Sequence, residues 1–443
     1  MVNILISGYY GFDNIGDESI LRTLVSSLRE HIPDCSLTVL SHNPTSTREK
    51  YGVEAVDRMS PMAILRAVKK CDMLISGGGS LLQDVTSSKS LHYYLAIIRC
   101  AEFFHKKVFI YSQGIGPIDR PGNRRAAAAA LKRADGIVVR DERSAALLEE
   151  IGIARDKVVI TADPVIRMKK PDGDVGAEIL RKAGVSLDGR LTVGWAIRER
   201  DTDSRFVKEL LRSIQMMKDK YNAQSVLIPF HYEEDGEVCR HIAAQLPDDT
   251  AVCLNEKYLS EDMLSIIGNM DLLVGVRLHS LIYAAIMGVP LIGISYDPKC
   301  TAFLNSVGLD KLSTKENFTA EIFLPEAERV LETGKEQVEC VEAHMAKLSR
   351  KLDTNEKMIC AIMEKSRKHT MQDPQNNTEK KDKSGVRTAG AISFVFLLTL
   401  FAKLLGVVRE MMQANIFGTG IDADLYTASY NSTLYLFTTM CYA

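Results

Sequence analysis

Short apolar runs alternate with amphipathic stretches from Asn3 to Thr161. Asn3–Ser7, Ser36–Ser41, Asp72–Ser76, Lys107–Ser112, Gly136–Val139 and Val158–Thr161 have the length and apolar content of strands. Between them, Asp17–His31, Pro61–Lys70, Leu91–Phe104, Asn123–Ala134 and Ser144–Ile151 carry apolar residues at helical spacing. That alternation predicts βαβ units on a parallel sheet. The polar stretch Lys169–Asp174 interrupts it. Strand-like runs then resume at Leu191–Ala196, Ser225–Pro229, Ala251–Leu254, Leu272–Val276 and Pro290–Ser295, and Leu324–Glu364 is mostly helical. The expected architecture is α/β, with two Rossmann-like domains, residues 1–168 and 175–365, facing a cleft where a ligand would bind.

The pattern changes after residue 365. Residues 366–388 are rich in Gln, Asn, Lys, Asp and Thr, with six basic residues against three acidic, and read as a flexible basic linker. Ala389–Val408 is a run of twenty residues with one charge, Lys403, which is the length of a membrane-spanning helix. A second apolar stretch begins at Leu425. Residues 389–443 are therefore expected to form a hydrophobic helical tail, a partial transmembrane segment. A buried soluble helix is the alternative. The basic linker would stay on the cytoplasmic side, and the N-terminus has no basic leader of an export signal. The expected location is the cytoplasmic face of the cell membrane.

Bulk composition narrows the function. Apolar residues make up 46% of the 443 and charged residues 25%, the balance of a globular protein. A net charge of −2 gives no general pull toward nucleic acid, and no nucleic-acid partner is expected. Nine cysteines occur without a Cys-x-x-Cys pair, which argues against a zinc ribbon or a thioredoxin-like motif and for free thiols.

The candidate chemistry sits where strand-like runs end. Gly275–Ser280, Gly-Val-Arg-Leu-His-Ser, puts Arg277 and His279 between a strand and a small-residue helix. Open α/β sheets bind ligands at that edge, a helix N-terminus favours an anion, and histidine moves protons near neutral pH. A histidine there also serves often as a cap or packing residue. Lys299 follows the next strand, in Tyr296–Lys299. Gly8–Glu18 is Gly-rich and offers Asn14 and Asp17, with Asp17 a possible helix cap. It lacks the Gly-x-Gly-x-x-Gly spacing of a dinucleotide fold. Gly77, Gly78 and Gly79 could form an anion nest, with no Gly-Lys-Ser/Thr of a P-loop after them. Arg140 ends a strand and could hold a carboxylate or phosphate in bidentate fashion, while Asp141 or Ser144 caps the next helix. Arg198 ends a strand of the second domain, with a surface ion pair to Glu199 or Asp201 as the plain alternative. Asp201-Thr202-Asp203 and His231-Tyr232-Glu233 match short metal signatures that arise readily by chance, and no metal site is expected.

Gly8–Glu18, Gly77–Asp84, Ser112–Pro117, Arg140-Asp141 with Ser144, Asp163-Pro164, and Gly275–Ser280 with Gly288–Pro290 together resemble the polysaccharide pyruvyl transferase family, in particular its bacterial cell-wall type, CsaB. The likeness covers roughly residues 1–365. It implies a two-domain fold like that of GT-B glycosyltransferases. It also implies transfer of pyruvate from phosphoenolpyruvate to two hydroxyls of one sugar as a cyclic ketal, with phosphoenolpyruvate as donor substrate and no cofactor. The implied acceptor is N-acetylmannosamine in a lipid-linked secondary wall polymer precursor, whose ketal anchors S-layer-homology proteins. On this reading His279 is the general acid/base. Arg277, Arg140 and Lys299 hold the donor, and Asn14, Asp17, Gly77, Gly78, Gly79 and Arg198 contact substrate. Residues 389–443, through Lys403–Glu410, Phe417-Gly418 and Asp422–Asp424, are similar to the start of a MviN/MurJ-type lipid flippase. The rival functions are a GT-B glycosyltransferase using a nucleotide sugar and a non-catalytic binder of lipid-linked glycan.

Overall fold

Seven of the apolar runs pair into one parallel sheet. They are β1 (Val2–Tyr10), β2 (Cys35–Ser41), β3 (Glu54–Asp57), β4 (Met73–Ser76), β5 (Lys107–Gln113), β6 (Gly136–Val139) and β7 (Val158–Ile160), in the order β3-β2-β1-β4-β5-β6-β7. Six more, β8 (Thr192–Ala196), β9 (Gln224–Leu227), β10 (Ala251–Cys253), β11 (Leu272–Gly275), β12 (Leu291–Ser295) and β13 (Ser313–Thr314), form a second parallel sheet in the order β10-β9-β8-β11-β12-β13. The computed structural model describes residues 2–372 except Thr86, with side chains through Ser366. Both sheets belong to one compact unit, Met1–Glu364. The apolar tail expected over 389–443 lies outside the described residues. Among the described residues no helix is long and apolar enough to cross a membrane.

Central strands are buried on both faces, so they read as unbroken apolar runs; β4, β6, β8 and β11 are buried at every position. Three elements carry no such signal. The helix Pro44–Tyr51 (Pro-Thr-Ser-Thr-Arg-Glu-Lys-Tyr) buries only Thr47 and Tyr51 and starts from an Asn43 cap. The edge strand β3 has four residues, and β13 has two.

The last helix, Ala320–Gln372, is bent at Thr333 and ends on the first sheet, where Ile359 and Met363 join its core. Glu356 is buried there and binds three groups of the N-terminal domain. Its carboxylate accepts from Ser27 Oγ at 2.6 Å, Tyr111 OH at 2.9 Å and Arg167 Nη1 at 3.4 Å. Asn355 Nδ2 donates to Ser112 Oγ at 2.9 Å. Removing one partner of a buried polar cluster strands the others. Glu356→Ala should therefore cost about 3–5 kcal/mol, read as a fall in the urea midpoint, and Glu356→Gln, which keeps one acceptor oxygen for Ser27 and Tyr111, should cost less.

Candidate active site

Both sheets reverse their strand order once, between β1 and β4 in the first and between β8 and β11 in the second. Ligands of open α/β sheets bind outside the strand carboxyl ends at such points. The loops leaving these four strands, with those after β5, β6 and β12, wall a cleft of ≈ 720 Å³. Asn14, Asp17, Gly79 and Arg140 line it from the N-terminal domain, and Arg198, Arg277, His279 and Lys299 from the C-terminal domain. Gly77 and Gly78 stand behind the wall, where a Cβ would press on Tyr10 and on Ile20 respectively.

The helix Ile15–His31 brings the two domains together. Its cap is Asn14 rather than Asp17: Asn14 Oδ1 accepts from Gly16 N at 3.1 Å and Asp17 N at 3.4 Å. Asp17, in the first helical turn, is left to face the cleft. Gly16 has no side chain, and a Cβ there would overlap the His279 ring at Nδ1. Gly79 adopts φ +89°, and a Cβ on it would lie 2.9 Å from Asp17 Oδ1. Glycine at both positions lets backbone close on a titratable side chain.

Burial moves the two titratable groups in opposite senses. His279 is pushed down to about 4, first by desolvation and then by the charges of Arg140, Lys299 and Arg277; Asp163 opposes them. Its Nε2 is 3.9 Å from Asp163 Oδ2 and is buried with no hydrogen-bond partner among the described residues. Asp17 is pushed up to about 7, first by desolvation and then by the Glu18 charge, against Lys299 and Arg140. Burial thus favours the neutral imidazole at His279 and the protonated carboxyl at Asp17.

Four cations of the cleft, Arg140, Arg277, Lys299 and Arg198, have an oxygen partner. Arg140 donates from Nη1 to Asp163 Oδ2 at 2.8 Å and from Nη2 to Ser80 Oγ at 3.0 Å, with Asp141 Oδ2 3.5 Å from Nε. Arg277 Nη2 binds Asp235 Oδ1 and lies 3.9 Å from Glu234 Oε2. Lys299 Nζ is 3.2 Å from Asp297 Oδ2. Arg198 donates to the Tyr296 hydroxyl and stacks 4.7 Å from its ring. Glu199 pairs instead with Lys315 at 2.7 Å. The counter-charges Asp163, Asp235 and Asp297 were not among the expected site residues. Asp163 lies in a segment that carried the family resemblance, and Asp297 lies in the Tyr296–Lys299 run. Asp235 is hidden at the end of an acidic run, Glu233–Asp235.

The remaining candidates have structural roles. Asp141 Oδ1 caps the helix Glu142–Glu150 by accepting from Ser144 N at 2.8 Å, and Ile115 N donates to Ser144 Oγ at 2.9 Å. His231 caps the helix Tyr232–Ala244, its Nδ1 accepting from Glu234 N at 3.2 Å, and also lines the cleft. Asp201 Oδ1 accepts from Asp203 N at 3.0 Å within an exposed turn. Among the described residues, no group of three or more His, Cys, Asp or Glu is placed to hold a metal ion.

The two shifts give opposite stability signatures. For Asp17 the folded value lies above the unfolded one, so the native state binds more protons, and its cost to stability grows as pH rises from about 4 to about 7. For His279 the folded value lies below, so stability falls as pH drops from about 6.5 to about 4. Asp17→Asn should raise the melting temperature at pH 8 and leave it nearly unchanged at pH 4. His279→Gln should instead flatten the loss of stability between pH 6.5 and 4. Thermal scans across pH would show both.

The curated protein AmsJ of Erwinia amylovora, described as an amylovoran biosynthesis protein, is 21% identical over 370 residues, covering 71% of this chain and 88% of its own. Among solved structures, HepE of Anabaena in complex with UDP-glucose aligns with a TM-score of 0.57 at 10% identity, over 82% of this chain and 100% of its own. The UDP-GlcNAc 2-epimerase of Neisseria meningitidis aligns at 0.53 and 14% identity over the same shares. A glycosyltransferase of Rickettsia africae aligns at 0.56 and 12%, over 81% and 98%. These structural likenesses identify the GT-B fold. The profile of the polysaccharide pyruvyl transferases matches residues 14–298, from the cap of the first helix to the loop after β12, and the chain belongs to that family.

Proposed function

We propose that the chain transfers pyruvate from phosphoenolpyruvate to two hydroxyls of one sugar in a lipid-linked cell-wall polysaccharide precursor, releasing phosphate. The observation that carries this reading is the cleft's set of acid-paired cations around His279 and Asp17. A small donor with a carboxylate and a phosphate would replace the acidic partners of Arg277, Arg140 and Lys299. N-acetylmannosamine is the acceptor sugar we assign, as in the CsaB type, on the cytoplasmic face of the membrane. The wall of Asn14, Asp17, Gly79 and Arg198 would receive it.

The donor's charge also sets the proton inventory. Burial first, and the cations around His279 after it, hold the imidazole neutral, and a bound dianion would offset those cations, so the imidazole gains a proton. His279 then gives the proton to the methylene carbon as the first sugar oxygen bonds to the central carbon, and that hydroxyl's proton passes to Asp17. The bond from the central carbon to the phosphate oxygen breaks, and phosphate leaves with the proton from Asp17. The second hydroxyl closes the ring and returns its proton to His279. One hydroxyl proton ends in the methyl group and the other on phosphate. No step requires a metal, and enzyme treated with a chelator should keep its turnover.

His279→Ala and Asp17→Asn should each lower phosphoenolpyruvate-dependent phosphate release about 10²–10⁴-fold. Wild-type turnover in His279→Ala would remove it from the role. Release of nucleoside diphosphate from a nucleotide sugar, without use of phosphoenolpyruvate, would turn the reading to a glycosyltransferase. Acceptor binding with no gain in product mass would turn it to a non-catalytic glycan binder. Calorimetry in two buffers of different ionisation heat supplies a second check. Phosphoenolpyruvate binding at pH 6 should take up about one proton in the wild type and fewer in His279→Gln.

A further inference from the structure

The cleft has an unusual rim on its N-terminal side. Met59, Met62 and Val85 are 68%, 45% and 65% exposed, and they are among the few large apolar side chains open to solvent. Met59 and Met62 follow β3, and Val85 follows β4, so all three leave carboxyl ends of one sheet. Val85 also lines the cleft itself. Hydrogen bonds fasten these segments into one edge. Tyr93 OH donates to Arg58 O at 2.9 Å, tying the helix Ser88–Phe103 to the turn that carries Met59. Asp84 accepts from Asp119 N at 2.9 Å, Arg120 N at 3.1 Å and Asn123 Nδ2 at 2.8 Å, tying the Val85 loop to the start of the helix Pro121–Leu131.

The charge of this face departs from that of the chain. The helices Pro61–Lys70, Ser88–Phe103 and Pro121–Leu131 pack on one side of the first sheet through Val68, Leu95 and Ala127. Together they carry seven Lys and Arg and one acidic residue, Glu102, in a chain of net charge −2. Of the ten residues of Pro61–Lys70 only Val68 is fully buried. Arg66, Lys89 and Arg125 are exposed and form no ion pair with a described residue. Exposed Arg120 is beside them, and Asp57 and Asp119 are the exposed acids of the rim. Apolar side chains interleaved with unpaired cations on a fixed edge have the chemistry of an interfacial surface.

We propose that this rim docks on an anionic phospholipid surface. Met59, Met62 and Val85 enter the headgroup layer, and Lys89, Arg120 and Arg125 lie against its phosphates. Charge favours lipid over an apolar protein partner, because unpaired Lys and Arg are drawn to an anionic leaflet. The consequence for catalysis rests on the acceptor reading above: a glycan carried on a lipid would enter the cleft past Val85.

Methionine oxidation reports on this edge alone, whatever else in the chain meets a membrane. The full-length protein would be treated with dilute peroxide on vesicles of mixed phosphatidylglycerol and phosphatidylcholine, and on pure phosphatidylcholine. Peptide mass spectrometry should show Met59 and Met62 oxidising roughly threefold or more slowly on the anionic vesicles, with the difference lost at about 1 M salt. Equal rates on the two vesicle types would overturn the proposal, and they are the result expected if an acidic protein is the true occupant. Lys89→Glu combined with Arg125→Glu should abolish the protection while phosphate release with a soluble acceptor glycoside is retained. Protection that survives this double change would overturn it too. Protection without any phosphoenolpyruvate-dependent phosphate release would count against the catalytic reading and leave the docking surface standing.

Discussion

The arrangement of the cleft depends on one close approach, that of the His279 ring to the backbone of Gly16. His279 comes from the second sheet and Gly16 from the first turn of the first helix, and a Cβ at position 16 would occupy the space of the imidazole. The approach fixes which groups meet. It sets the imidazole within 3.9 Å of Asp163, and Asp17 and His279 line the same cleft from the two domains. It also requires the helix to begin at Ile15. The Asn14 cap secures that start by occupying the amides of Gly16 and Asp17. A start three residues later, with Asp17 as cap, would spend the Asp17 carboxylate on backbone amides.

Contacts on either side of the cleft hold the two sheets to this spacing. On one side Ser19 Oγ meets Tyr283 OH, and Arg22 Nη1 is 2.5 Å from Glu261 Oε1. On the other, the last helix returns to the first sheet, and Glu356 gathers Ser27, Tyr111 and Arg167 around one buried carboxylate. A partly exposed ion pair contributes little, whereas the buried Ser19–Tyr283 contact and a buried carboxylate with three donors are costly to disturb. The returning helix is a second brace, and it lies away from the cleft, where the ligand does not compete with it.

How much of this was legible in the sequence depended on distance along the chain. Strand Gly136–Val139 and helix Pro61–Lys70 could be read with their bounds because burial or amphipathic spacing is written locally. Helix Pro44–Tyr51 could not, since its stability rests on a cap and two buried side chains rather than an apolar stripe. The loops that carry Arg140, Arg277, His279 and Lys299 were visible because each follows an apolar run and precedes a helix. Their partners were not. Arg140 finds Asp163 at a separation of 23 residues, and Arg277 finds Asp235 at 42. Only the strand order decides such pairs, and no local pattern encodes that order. The same limit applies to Gly77 and Gly78, where a Cβ would press on Tyr10 and on Ile20.

The acid partners give the empty cleft a physical logic. Arginines buried without counter-charge would destabilise the fold, and an imidazolium among them would add to the repulsion. Asp163, Asp235 and Asp297 neutralise the cations, and the imidazole stays neutral. On the proposed function, a dianionic donor would take over the role of these carboxylates and add negative charge, which favours a proton on His279. Burial first, and the charges of Arg140, Lys299 and Arg277 after it, hold the imidazole neutral, so on that proposal the acid would form only once the donor is in place. Asp17 complements this from the other domain. Its high proton affinity reflects burial more than any single neighbour. On the proposed function, a hydroxyl brought against it would meet a base stronger than an ordinary carboxylate, held on the helix that touches the imidazole.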